Sequence, residues 1–187
     1  MAPKLEREIK LRLLGPLDEV EAWASLAGFV KLDECYEEDV YFSHPCRDFG
    51  KSDEALRLRI SRCAGRGEEY TLTYKGRRLS RGQLKERLEL EARLPGPEAQ
   101  ALRTIIEALG FEPLATIKKH RKRYARGSLE LAVDAVEGLG HFAELEGEDV
   151  GELEEALEAL RSSLKGGAEP VEKTYLEMVL ELGRGGA

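Results

Sequence analysis

Charged and apolar residues alternate with a period of two in several short stretches of the chain. Leu5 to Leu13 sets Glu6, Glu8, Lys10 and Arg12 on one face and Leu5, Ile9, Leu11 and Leu13 on the other, the pattern of a β-strand. Residues 55–62 repeat it with Arg57 and Arg59, 70–75 with Thr71, Thr73 and Lys75, and 85–94 with Lys85, Arg87, Glu89 and Glu91. Farther on, 117–125 carries Lys119, Arg121 and Arg123, 128–136 carries Glu130 and Asp134, and 140–146 carries Glu144 and Glu146. A short stretch, 38–42, is an eighth candidate strand. Segments 17–28, 97–110, 150–165 and 171–182 carry apolar residues at helical spacing instead, the first two ending at Gly28 and Gly110, where a helix commonly stops.

A strand with one charged face ordinarily turns that face to water. Here the faces are nearly pure Glu, Arg and Lys in one strand after another. Two carboxylates at i and i+2 stand about 7 Å apart and repel unless a cation lies between them. The amphipathic helices also need apolar surface to cover. If they cover the apolar strand faces, the charged faces are left to look at one another, and the sheet closes into a barrel with a charged lumen. The order strand, helix, three strands occurs twice, over 5–75 and 85–146, predicting two similar halves related by a pseudo-two-fold. Loops are expected at 43–54 and 76–84, a single domain over 1–182, and a flexible tail at 183–187.

With 187 residues, 42% of them hydrophobic, the chain can bury a core without staples. Its apolar runs are too short for a membrane-spanning helix, and its N-terminus carries no apolar secretory segment. Cys35, Cys46 and Cys63 are odd in number and scattered. They fit neither a disulfide framework nor a zinc ribbon, so a reducing cytoplasm is the expected compartment. The net charge of −7 argues against a nucleic-acid binder. Its distribution says more: residues 56–126 hold 18 Lys and Arg against 8 Asp and Glu, while 1–55 carry a net −6 and 127–187 a net −11. A fold that brings these segments together suits a polyphosphate with divalent cations, since protein cations take phosphate oxygens and carboxylates take the metals. A salt-bridged surface is the plainer alternative, and charge counts alone favour it.

Motif order decides between them. Glu6-x-Glu8-x-Lys10 is followed by Asp39-Val40-Tyr41-Phe42, Ala55-Leu56-Arg57-Leu58-Arg59, Thr73-Tyr74-Lys75-Gly76 and Glu89-Leu90-Glu91. Then come the basic strand Lys119 to Arg123, Asp134 with Leu139-Gly140, and Glu144-Leu145-Glu146. In this order the pieces resemble the CYTH family, which groups class IV (CyaB-type) adenylate cyclases and thiamine triphosphatases within the triphosphate tunnel metalloenzymes. The resemblance covers residues 4–180, and His44 to Phe49 is most similar to the CyaB-type branch. It implies an α+β fold built on an eight-stranded antiparallel closed β-barrel, with a triphosphate held inside together with Mg²⁺ or Mn²⁺. Carried over by position, Glu6, Glu8, Glu144 and Glu146 resemble metal ligands, with Glu130 and Asp134 assisting. Lys10, Arg57, Arg59, Lys75, Arg87, Arg121 and Arg123 resemble triphosphate contacts. Glu89 and Glu91 resemble supporting lumen carboxylates, Lys119 a further contact, and Lys173 a cap on one mouth.

The substrate so implied is a small-molecule triphosphate: ATP, thiamine triphosphate or tripolyphosphate. Hydrolysis is the expected reaction and cyclisation of ATP the alternative, because five residues without His or Phe precede Glu6, where bacterial cyclases carry a His-Phe pair. A non-catalytic polyphosphate binder would need the arginines but not the paired carboxylates. An RNA-end binder fits poorly with the net charge. No membrane partner is expected, and a homodimer is left open. His44, His120, His141 and Trp23 read as structural or solvent residues, and no phosphate-binding glycine loop is present,.

Overall fold

The computed structural model describes residues 4–79 and 82–185. Strand β1 (Lys4–Leu13) leads into helix α1 (Leu17–Leu26) and a meander of β2 (Val30–Ser43), β3 (Ala55–Cys63) and β4 (Glu68–Arg78). Strand β5 (Leu84–Leu94) leads in the same way into α3 (Gly96–Ala108) and β6 (Glu112–Arg126), β7 (Leu129–Val136) and β8 (Gly140–Glu146). A four-residue helix α2 (Phe49–Ser52) interrupts the loop between β2 and β3. Helix α4 (Val150–Ser163), the three-residue β9 (Ala168–Pro170) and α5 (Tyr175–Gly185) complete the chain.

The sheet runs β5-β4-β3-β2-β6-β7-β8-β1, and pairing of β1 with β5 closes it into an eight-stranded antiparallel barrel. The expected two-fold is visible in the pairing. The first strand of each half lies against the last strand of the other, β5 on β4 and β1 on β8. β9 pairs with Leu11–Leu13 on β1 just where β5 leaves that edge at Ile9. It approaches closely because Gly15 and Gly166 face each other: a Cβ on Gly166 would stand 2.3 Å from the Gly15 Cα.

The apolar strand faces turn outward and are roofed by helices. α1 and α4 cover β1, β6, β7 and β8 through Val20, Trp23, Leu153 and Leu160 packed on Ile9, Leu11, Leu131 and Leu145. α3 covers β2 and β3 through Leu102 and Ile106 against Val40, Phe42 and Leu58. α5 lies across one end of the barrel, where Tyr175 and Met178 meet Tyr41, Ala55, Ile117 and Phe142. Among the described residues, no helix is long and apolar enough to cross a membrane.

Four expectations need correction. β2 reaches back to Val30, far beyond 38–42, because it pairs with β3 on one side and β6 on the other. That reach puts Cys35 directly opposite Cys63, and the two form a disulfide. The cysteine argument for a reducing compartment therefore falls. The last helix begins at Tyr175, since residues 168–170 are taken by β9. It also continues to Gly185, so residues 183–185 are helical, while Gly186 and Ala187 lie outside the described residues.

Candidate active site

Strand alternation sends the charged faces into the barrel, where they line a cavity of about 430 Å³. Glu6, Glu8, Lys10, Glu130, Glu144 and Glu146 line it from β1, β7 and β8. Arg57, Arg59 and Lys75 line it from β3 and β4, across the lumen, with Arg87, Glu89 and Glu91 on β5 and Lys119, Arg121 and Arg123 on β6. Two expected residues are not in the lining. Lys173 is surface-exposed and pairs with Glu181 at 2.7 Å. Asp134 is fully buried, covered by Arg121, whose Nε donates to it at 2.7 Å, and by the Tyr175 hydroxyl, which donates to it at 2.8 Å.

The lumen holds its charges as an interlocked lattice. Lys10 contacts Glu144 at 3.0 Å and Glu8 at 3.7 Å; Lys85 contacts Glu8 at 3.2 Å. Lys75 bridges Glu6, at 3.3 Å, and Glu89. Arg121 joins Glu144 to Asp134. At the centre, Arg59 takes both oxygens of Asp39 at 2.6 and 2.8 Å, with Lys119 at 3.4 Å and Arg57 at 3.7 Å from the same carboxylate. Glu37 faces Arg59 at 3.2 Å and Lys119 at 3.3 Å.

Burial and these neighbours set the protonation states. Burial opposes ionisation of Glu37, but Arg59, Lys119 and Arg121 outweigh it and hold the carboxyl at about 2. Against the same opposition, Arg59, Lys119 and Arg57 hold Asp39 well below the usual range, and Lys10 and Arg121 do so for Glu144. Glu6 goes the other way: burial raises it, Lys75 offsets only part, and nearby Glu89 and Glu144 add to the rise. Burial lowers Lys85 and Lys119, and for Lys119 the charges of Arg121 and Arg59 add to it.

α5 seals one end. Tyr175 stands beneath the lattice, with Lys10 Nζ 4.0 Å and Lys119 Nζ 5.3 Å from its ring centroid. The helix start is pinned by Arg78, which binds Glu177 and Asp53 at 2.8 Å each. Sequence reasoning missed Tyr175, Glu37 and the site role of Asp39. Tyr175 had the spacing of a packing residue. Glu37 had the right parity, but only on a strand longer than the one expected.

Residues suited to a divalent cation are present. Glu8, Glu146 and Glu130 sit side by side on adjacent strands β1, β8 and β7, with Glu6 and Glu144 next to them. These are hard oxygen donors of the kind Mg²⁺ and Mn²⁺ take. Among the described residues, the buried Arg57 Nε makes no hydrogen bond; it belongs to a lumen residue, where a bound anion would supply the partner.

A closed barrel with a carboxylate arc facing a cationic arc defines a charged-tunnel protein. The chain belongs to the CYTH domain family, which matches residues 4–175. It is 34% identical over 180 residues to a Methanocaldococcus jannaschii protein, MJ0240, provisionally named an adenylate cyclase, covering 93% of this chain and 98% of that one. The solved structure of PH1819 from Pyrococcus horikoshii is similar with a TM-score of 0.74 and 34% identity, over 93% of this chain and 98% of that one. HpAC1 from Hippeastrum, provisionally named an adenylyl cyclase and described as having a dominant triphosphatase activity, shares the fold. Its TM-score is 0.72 at 20% identity, over 94% of this chain and 95% of that one.

Proposed function

We propose that this chain is a divalent-metal-dependent triphosphatase acting on a small-molecule triphosphate, organic or inorganic. The observation that carries the reading is the opposition of the two arcs. Buried Arg57 and half-buried Arg59 and Lys75 face a row of Glu8, Glu146 and Glu130 across one cavity. A triphosphate brings up to four or five negative charges, and guanidinium groups take its oxygens two at a time. Glu8, Glu130, Glu144 and Glu146, with Glu6, would hold Mg²⁺ or Mn²⁺, which polarises the phosphoryl group and stabilises the leaving oxygen.

The chain's own residues bind and orient. Arg57, Arg59, Arg121 and Arg123 neutralise the phosphates, and Lys10 and Lys75 bridge them to the carboxylate arc. Asp39 and Glu37 fix the guanidinium and ammonium groups in place before substrate arrives, so little reorganisation is needed. Tyr175 closes the end beneath them and limits how far the phosphate chain can enter. In hydrolysis a water oxygen bonds to the terminal phosphorus and the bond to the bridging oxygen breaks, releasing orthophosphate, a diphosphate and a proton.

Cyclisation is the second reading, favoured by the name of the archaeal relative. There the ribose 3′-oxygen bonds to the α-phosphorus and pyrophosphate leaves. It needs groups that hold a nucleoside in addition to the phosphate cradle. Hydrolysis needs only the cradle, the carboxylate arc and water. The test is product analysis after incubation with Mg²⁺ or Mn²⁺ and, separately, tripolyphosphate, thiamine triphosphate and ATP. Orthophosphate with a diphosphate product is expected. Cyclic AMP with pyrophosphate would replace the first reading by the second. Tight binding without turnover would leave a binding module.

A further inference from the structure

The tunnel's other mouth holds a group of side chains that triphosphate chemistry does not use. Cys35 and Cys63 lie directly opposite each other on β2 and β3. They are 2% and 7% exposed, yet both line the cavity rather than the outer core. Asp33 precedes Cys35 by two residues and so shares its strand face. A carboxylate oxygen of Asp33 and the two sulfurs all lie within 4.8 Å of one another, the only such group of three metal-ligating atoms among the described residues.

We propose that Cys35, Cys63 and Asp33 form a redox-gated binding site for a thiophilic divalent cation of the zinc type. With the disulfide closed, the sulfurs are committed to each other. A dithiol reductant breaks the S–S bond, delivers two electrons and two protons, and leaves as its own disulfide. Each thiol then gives up its proton as the cation binds, so binding releases two protons.

Two features of the geometry fit this. Tetrahedral zinc with bonds of about 2.3 Å to sulfur sets two sulfurs about 3.8 Å apart, a spacing that directly opposed residues reach without moving the strands. Asp33 is already oriented: Arg123 donates to both of its oxygens, with Nε at 2.9 Å from Oδ1, and Arg66 also donates to Oδ2, leaving a lone pair on Oδ1 for a cation. Fixing a ligating carboxylate by outer hydrogen bonds strengthens a metal site. Two sulfurs and one carboxylate select a soft cation over Mg²⁺, which separates this site from the oxygen-only arc of β1, β7 and β8.

The test is a Co²⁺ titration of the full chain carrying Cys46→Ser, which removes the exposed free thiol, reduced and oxidised. The expected result is one Co²⁺ per reduced chain with sulfur-to-cobalt charge-transfer absorption, displaced by Zn²⁺, untouched by excess Mg²⁺, and absent from the oxidised chain. Cys63→Ser should weaken Co²⁺ at least about 100-fold and Asp33→Asn about 10-fold. Cys35→Ser gives the same reading if Cys63→Ser fails to fold. Equal binding by oxidised and reduced chains, displacement by Mg²⁺, or full affinity without either cysteine would overturn the proposal.

Discussion

Glu37→Gln probes the charge lattice where its effect can be sized. The side chain is 5% exposed and faces Arg59 at 3.2 Å, Lys119 at 3.3 Å and Arg121 at 3.9 Å. Burial alone would push its carboxyl up; the three cations pull it from 4.5 down to about 2. That displacement corresponds to about 3 kcal/mol of stability from the ionised group. Because the folded value is depressed, the contribution is complete above the unfolded value and is lost as pH falls through the folded one. Gln keeps the shape and removes the charge. For a chain of this length, the loss corresponds to a melting temperature lower by about 6–12 °C near pH 7. The assay is thermal unfolding of both proteins from about pH 7 to pH 3. The gap should hold between about pH 5 and 8 and fall to less than half near pH 3. A gap below about 1 kcal/mol at neutral pH, or one that ignores pH, would mean that the lattice is ordinary surface pairing.

Other consequences can be checked separately. Tyr175→Phe keeps the ring under Lys10 but removes the 2.8 Å hydrogen bond to buried Asp134; it should cost about 2 kcal/mol in denaturant unfolding, and an unchanged midpoint would contradict the pairing. The raised carboxyl of Glu6 should lose its proton when Mg²⁺ binds. Calorimetry in buffers of different ionisation enthalpy should therefore detect proton release below neutral pH that Glu6→Gln removes. Leu160, on the inner face of α4, is fully buried, and Leu160→Ala should destabilise by about 2–5 kcal/mol while leaving the KM of the folded enzyme unchanged.

Much of this was legible because a charged lumen inverts the usual pattern. Glu6, Glu8 and Lys10, or Arg57 and Arg59, alternate cleanly with apolar residues, and the order of these motifs along the chain sets them apart from a solvated face. What stayed hidden depends on partners distant in sequence. Val30 to Glu38 shows no steady alternation, so β2 declares its length only through pairing with β6. Glu37 and the Cys35–Cys63 bridge were lost with it. Asp134 has lumen parity, yet Arg121 and Tyr175 cover it completely, so it does not reach the cavity surface. β9 and α2, at three and four residues, are too short to leave a periodic signal. Tyr175 sits at helical spacing among apolar neighbours, and only the placement of α5 across the barrel end gives its hydroxyl a role.

The proposed division of labour gives the phosphates to the cations and the metal to the carboxylate arc. The most direct measurement compares the wild type with the double variant Glu8→Gln, Glu146→Gln in two assays, calorimetric binding of tripolyphosphate without metal and Mg²⁺-dependent phosphate release. The variant should bind tripolyphosphate at least as tightly, having lost two repelling charges, while release falls at least about 100-fold. Retained turnover, or loss of both properties together, would contradict this division.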